Sequence, residues 1–341
     1  MDDNSAAWLV RFKRKPLDVD EADSRFADEN EIVIRNAAVS VNPIDTVMQD
    51  QPYLNWTYPT ILGTDVAGEV TEVGSMVQGF SEGDRVMGHA LRLATDDDRH
   101  GGFQKFTVLM PNMACIIPRT LSYENAATLP LGISTASAAL FQDSSLHLRP
   151  PTLNPQLRDE WVVVGGATGN VGSHGVRLAS AAGYKVLALA SQKDFPVAKS
   201  LGATDVLDAR PAAPLLLENT LAEALKERTI AGAFDATGVS SVTVAIAKGV
   251  AACKGKRVVA TVASEVDDDV SPVAVKTVMA IDIRNNEVGS MVWGDFMPKA
   301  LANGKYFMPY PKAAVYGNGL NKIQAAMGTK AKAGEKFVVT L

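Results

Sequence analysis

The feature that most constrains this chain is the stretch Trp161 to Ser191, WVVVGGATGNVGSHGVRLASAAGYKVLALAS. Trp161 to Val164 is a short apolar run, rich in β-branched residues, of the kind buried in a parallel sheet. Gly166, Gly169 and Gly172 then form G-x-x-G-x-x-G, a turn that lets the backbone approach a pyrophosphate resting on the N–H groups of the next helix. Val171, Gly175, Leu178 and Ala182 recur at helical spacing and give that helix a sheet-facing stripe. Gly183 ends it, and Lys185 to Ala190 forms a second strand. Glycine spacing alone fits turns in many α/β proteins. Strand before, helix after and a second strand at the right distance make this the first βαβ unit of a dinucleotide-binding domain. Gly166, Ala167, Thr168, Gly169, Asn170 and Val171 are therefore the expected cofactor contacts.

The end of the second strand indicates which dinucleotide. Folds that prefer NAD place Asp or Glu there, about twenty residues past the glycines, to receive the ribose 2′-hydroxyl. Here the strand ends in Ser191-Gln192-Lys193, with no carboxylate before Asp194. A hydroxyl and an ammonium suit a 2′-phosphate, so NADPH is the expected cofactor, bound through Ser191 and Lys193. The competing reading of Lys193 is a solvated surface charge.

A chain of 341 residues suggests two domains and a large core. The net charge of −5 gives no basic excess, which argues against nucleic acid as a partner. No apolar run reaches the roughly 18 residues that span a bilayer, and MDDNSAAWLVRFKRK lacks the apolar core of a signal peptide. With only Cys115 and Cys253, a disulfide framework is not expected and a cytoplasmic location is.

Taken in order, Ala6–Phe12 and Glu31–Val41 alternate as strands, and Asn42-Pro43-Ile44-Asp45 stops the second, because proline cannot donate to a ladder. Pro59 to Val70 leads into a further strand ending at Val73-Gly74, and Gly83–Gly88 carries the turn and strand of a hairpin or barrel edge. Ala94–Gly102 reads as a charged surface loop, and Gly102–Leu109 and Ala114–Ile117 add strands. Closely spaced short strands imply a barrel-like domain. Leu121–Phe141 turns helical with a break at Leu129-Pro130, and Arg149–Glu160 is a proline-rich loop. Beyond Ser191, strands are expected at Ala203–Asp208, Gly232–Gly238, Lys256–Val262 and Asn286–Trp293, with a helix over Leu215–Thr229. Gly319–Gly328 suggests a helix and Lys336–Leu341 a terminal strand that completes the first domain. The fold class expected is α/β.

Seven segments in order carry a resemblance over almost the whole chain: NPID (42–45), GTDVAGEVTEVG (63–74), GDRV (83–86), GGFQKF (101–106), LPLGISTA (129–136), GATGNVG (166–172) and GEKFVVTL (334–341). The chain resembles the medium-chain dehydrogenase/reductases, and within them the zinc-independent quinone oxidoreductase and enoyl reductase branch. It is similar to fungal CipB-like oxidoreductases and to trans-acting enoyl reductases of polyketide pathways. The resemblance implies a GroES-like catalytic domain over 1–128 and 289–341 around a Rossmann domain over 129–288. It also implies that Asn42 and Asp45 lie near the nicotinamide ribose or substrate, and that Thr135 faces the nicotinamide. Val262 and Ala263, at the end of the fifth strand, are expected near the cofactor because ligands bind at strand C-termini. The competing roles are a turn cap for Asn42 and Asp45 and helix capping for Thr135. Asp65 is expected to be structural, and His174 a surface residue.

Zinc enzymes of the superfamily carry Cys at the position of Asn42 and Gly-His-Glu at Gly63-Thr64-Asp65, so no catalytic metal is expected. His89, His100 and the aspartates 96–98 have the spacing of a hydrated loop. Without a Lewis acid, reducing an isolated ketone demands a strong acid near oxygen. Reducing a C=C conjugated to a carbonyl is less demanding, because hydride adds at the β-carbon and the enolate is held by hydrogen bonds. Tyr53, eleven residues past Asn42, resembles the tyrosine proposed as proton donor in enoyl reductases. Its phenol, with a pKa of ~10, is protonated at neutral pH; the equal alternative is an aromatic lid packed against the substrate. The expectation is an NADPH-dependent reductase of enone, enoyl or quinone substrates in fungal secondary metabolism. A carbonyl reductase and a non-catalytic NADPH-binding protein are the alternatives. Both monomer and homodimer fit, and no membrane partner is expected.

Overall fold

The structure is a computed structural model that describes residues 3–51, 57–209, 214–266, 269–304 and 310–341. Tyr53 lies outside the described residues. The chain forms two compact units, Met1–Leu131 with Trp293–Leu341, and Gly132–Val292. The fold is α/β. Among the described residues no helix is long and apolar enough to cross a membrane.

The second unit is a parallel sheet. Its main path runs Asp205–Asp208, Lys185–Ala190, Glu160–Gly165, Thr229–Asp235, Val258–Thr261, Ala274–Thr277. Numbered by sequence, that order is third, second, first, fourth, fifth, sixth. It reverses direction between the first and fourth strands, where a doubly wound sheet opens its ligand crevice. Val162, Val163 and Val164 are buried because both faces of the sheet are covered, as their unbroken apolar run implied. Leu187, Leu189, Ala233, Ile246 and Val259 join Val163 in the core. The expected Asn286–Trp293 strand is instead helical, Glu287–Gly289 running into Ser290–Phe296. The Asn286 side chain accepts the Val288 N–H at 3.0 Å, capping a helix where an apolar run read as a strand. The sheet's sixth strand is Ala274–Thr277, partly exposed at its edge.

In the first unit a largely antiparallel sheet runs Lys312–Asn318, Glu335–Thr340, Ile32–Ser40, Asp65–Val73, Arg85–His89, Ala114–Ile116. Phe106–Leu109 also pairs with Ile32–Ser40. A smaller sheet joins Asp18–Glu21, Ser5–Leu9 and Thr60–Ile61. Ile32, Ile34, Val39, Val66, Phe103 and Leu109 form the core between them. The C-terminal strand pairs antiparallel with Ile32–Ser40, Val338 facing Ser40. Beyond Asn42, the proline at the first helical position starts a helix, Pro43–Asp50, rather than only ending a strand.

The Ala94–Gly102 segment is not a freely hydrated loop. Arg92 is buried and donates to Asp96 and Asp98, each at 2.7 Å. Asp98 also accepts the Thr60 hydroxyl at 2.8 Å and the Ile61 N–H at 3.0 Å. Buried His100 lies between Thr95 at 2.9 Å and Glu31 at 3.0 Å. Charges can be buried here because each has a partner.

Candidate functional site

In the second unit, the glycine turn follows the Glu160–Gly165 strand. Gly166 adopts φ +65°, and Gly169 N–H closes the turn on Gly166 C=O at 2.8 Å. The Ala167 N–H donates to Leu189 C=O at 3.1 Å, tying the turn to the second strand. The Asn170–Ala181 helix then begins, with Gly169, which has no side chain to cap it, at the N-cap position. A helix N-terminus of this kind favours an anion through its backbone N–H groups and its dipole. Gly172 lies hard against the turn: a Cβ there would fall 2.1 Å from Gly166 O and 3.1 Å from Ala167 Cα. The motif's third glycine is thus required by backbone contact. Asn170 and Val171, in the helix's first turn, are half-buried. His174 is fully buried, not on the surface; a side chain at Gly132 would meet its Cδ2 at 2.5 Å.

Next to the glycine turn, buried Asp235 closes the fourth strand, paired with Gly165 across the parallel ladder. It accepts Thr237 N–H at 3.0 Å, Thr237 Oγ1 at 3.1 Å and Thr243 Oγ1 at 2.6 Å. Burial pushes its carboxyl up, against the pull of these bonds. Thr243 bonds Thr261 at 3.0 Å, and Thr261 Oγ1 accepts Ala263 N–H at 3.1 Å. Val262 N–H donates to Asp235 C=O at 3.2 Å. Asp235 therefore ties down the segment that holds Val262 and Ala263, Val262 through its backbone carbonyl and Ala263 through its carboxylate by way of Thr243 and Thr261, a role the sequence reading missed. The available signal was an acid at a strand end followed by Ala-Thr-Gly.

The Lys185–Ala190 strand ends at half-buried Ser191, with Lys193 exposed. The Ser191 hydroxyl donates to Asp194 Oδ2, and Asp194 N–H returns to Ser191 C=O at 2.8 Å. The carboxylate that the sequence placed too late is folded back onto the strand end. Thr135 is buried at the sixth position of the Pro130–Phe141 helix, past the first turn, which removes it as an N-cap.

In the first unit two of the sequence-predicted residues, Asn42 and Asp45, belong to a buried polar cluster. Asn42 caps the Pro43–Asp50 helix, and its N–H donates to Asp45 Oδ2 at 2.7 Å. Asn42 Nδ2 donates to Thr64 Oγ1 at 2.9 Å and to Asp65 Oδ2 at 3.0 Å. Asp65, fully buried, also accepts Ser40 Oγ at 3.1 Å and Leu131 N–H at 2.6 Å. The Lys336 ammonium, itself buried, pairs with Asp65 Oδ2 and donates to Thr128 C=O at 3.2 Å. Lys336 was absent from the sequence reading, which saw only a strand there. Opposite Asp65 in the ladder stands His89, pushed down to about 4 by burial. Burial raises Asp45 to about 7, assisted by the Asp65 charge and opposed by the Asn42 N–H. Among the described residues, Asn42 Oδ1, Asp45 Oδ1 and His89 Nδ1 have no hydrogen-bond partner.

This donor set does not fit a zinc ion. Asn42 and Thr64 offer an amide and a hydroxyl bonded to each other, and Asp65 is already paired with an ammonium. Among the described residues no group of three or more His, Cys, Asp or Glu side chains is placed to hold a metal ion.

Together these features define two units, a doubly wound parallel sheet with a glycine turn and a β-rich unit closed by the chain's last strand. Residues 28–119 match the alcohol dehydrogenase GroES-like domain family. The chain is 40% identical over 340 residues to the zinc-binding alcohol dehydrogenase domain-containing protein cipB of Emericella nidulans, covering 99% of this chain and 98% of that one. It is 35% identical over 323 residues to the trans-enoyl reductase himH of Aspergillus japonicus, covering 94% and 92%. The quinone oxidoreductase structure from Coxiella burnetii superposes with a TM-score of 0.70 at 20% identity over the full length of both chains, a likeness of fold. The chain belongs to the medium-chain dehydrogenase/reductases, in their enoyl reductase and quinone oxidoreductase branch. That membership makes it an oxidoreductase with a nicotinamide nucleotide as cofactor.

Proposed function

We propose that this chain is an NADPH-dependent, zinc-independent reductase of C=C bonds conjugated to a carbonyl, or of quinones, serving fungal secondary metabolism. The observation that carries the reading is the Lys336–Asp65 pair. It sets a lysine ammonium, bound to a carboxylate, among the residues where zinc members of the family carry metal ligands. A chain with no Lewis acid for an isolated carbonyl is suited to acceptors whose negative charge spreads into an enolate or hydroquinone. The trans-enoyl reductase relative supports the same substrate class.

The turn at Gly166 to Val171 and the helix N-terminus that follows Gly169 suit a pyrophosphate, and the end of the Lys185–Ala190 strand, with Ser191 and Lys193, suits an adenosine ribose. A bound nicotinamide supplies the hydride. The chain's own residues orient the reactants and deliver the proton. Both Asn42 amide hydrogens are committed to Thr64 and Asp65, so Oδ1 is the atom left to act. Asn42 therefore accepts from a hydroxyl or amide N–H, and orients rather than stabilises an enolate oxygen. Asp45 holds the Asn42 backbone, Thr135 serves the nicotinamide side, and Tyr53 gives the α-carbon its proton.

Incubation with NADPH and an α,β-unsaturated ketone should yield the saturated ketone. Allylic alcohol as the product would replace this reading with carbonyl reduction, and absence of NADPH consumption across enones, quinones and acyl thioesters would refute it. Tyr53→Phe should lower turnover at least about a hundredfold, the lower end of what a lost general acid costs; unchanged turnover would remove Tyr53 as the donor.

A further inference from the structure

Ser191 has one hydroxyl hydrogen, and the fold directs it to Asp194. The Asp194 N–H closes the same turn on the Ser191 carbonyl at 2.8 Å, so the carboxylate is pinned at the strand end by two bonds. Asp194 is half-buried, while Lys193, between them in sequence, is exposed. A hydroxyl whose hydrogen is engaged cannot also donate to a phosphate. A carboxylate beside it repels a phosphate dianion and accepts readily from a ribose hydroxyl. At this strand end Lys193 attracts a 2′-phosphate, while Asp194 opposes it and withholds the Ser191 donor.

We propose that Asp194 is a specificity-determining residue that narrows the preference for NADPH over NADH, leaving the chain able to use both. This rests on the reading above that an adenosine ribose docks at the end of the Lys185–Ala190 strand. Asp194→Asn isolates the charge, because the asparagine carbonyl still accepts the Ser191 hydroxyl.

The test measures binary dissociation constants for NADPH and NADH on the full chain, by calorimetry, for wild type, Asp194→Asn and Lys193→Ala. Lys193→Ala should weaken NADPH and leave NADH unchanged, which locates the phosphate. Asp194→Asn should raise the NADPH-to-NADH affinity ratio about tenfold, the size expected for one charge removed a few ångströms from a dianion. If Lys193→Ala behaves so while Asp194→Asn moves the ratio less than about twofold, the inference is overturned and the docking site stands. If Lys193→Ala weakens both nucleotides equally, or wild type binds neither, the docking site itself is wrong and the inference falls with it.

Discussion

Replacing Lys336 by Met tests the buried cluster most directly. The methionine fills similar volume and removes the only cation that pairs with Asp65 among the described residues. Asp65 would keep three neutral donors, from Ser40, Asn42 and the Leu131 backbone, around a carboxylate with no solvent access. Breaking a buried ion pair by deleting one partner costs about 3–5 kcal/mol, because the remaining charge is left uncompensated. For a unit of this size each kcal/mol moves the melting temperature by roughly 2–4 °C, so a fall of about 6–20 °C is expected. Adding Asp65→Asn to Lys336→Met removes the stranded charge, and the double variant should recover at least about 2 kcal/mol of the loss. Thermal melts followed by circular dichroism give both numbers. A single variant melting within about 2 °C of wild type, or a double variant no better than the single, would refute the view that the pair neutralises the cluster.

Two further outcomes follow from the geometry. Asp45, held at about 7 when folded against ~4 unfolded, makes stability fall as pH rises across that window. His89, held at about 4 when folded against ~6.5 unfolded, makes it rise, so Asp45→Asn should leave a melting temperature that climbs between about pH 4.5 and 6.5; a flat profile in that variant would contradict the assignment. Gly172→Ala places a methyl 2.1 Å from a backbone oxygen of the glycine turn. It should cost about 1–3 kcal/mol of stability and weaken nucleotide binding at least tenfold by calorimetry, and unchanged affinity would show that the turn does not hold the nucleotide.

What could be read from the sequence was what lies close along the chain. The strand, glycine turn and helix at Trp161–Ala181 follow from apolar runs and glycines within one βαβ unit, and the Lys185–Ala190 strand fell at its expected limits. Asn42 and Asp45 were singled out through the resemblance that the NPID segment carries, while the proline within it marked only where the preceding strand stops. Lys336 could not, since its partner is 271 residues away and no local pattern distinguishes a buried lysine on a strand from a solvated one. The Asn286–Trp293 segment was misread because short apolar runs carry no period long enough to separate strand from helix. Asp194 shows the opposite failure: only three residues from Ser191, it was set aside by counting along the strand, whereas a turn returns it to the strand end.

The cluster's charges explain why asparagine is self-consistent at position 42. Two acids, Asp45 and Asp65, share the interior with one cation, Lys336. Because burial keeps Asp45 protonated up to about 7 and His89 neutral down to about 4, a single carboxylate faces a single ammonium over that range. Each acid then holds a different part of Asn42: Asp45 takes the backbone N–H, and Asp65, with Thr64, takes the amide hydrogens. Rotating the carboxamide would set its oxygen against the Asp65 carboxylate, so its orientation is fixed by charge as well as by hydrogen bonds. A thiolate at the same position would add an anion beside Asp65 that Lys336 alone could not balance. Asparagine at position 42 and lysine at position 336 therefore answer one electrostatic requirement, and a Cys introduced at 42 should stay protonated unless a metal came with it.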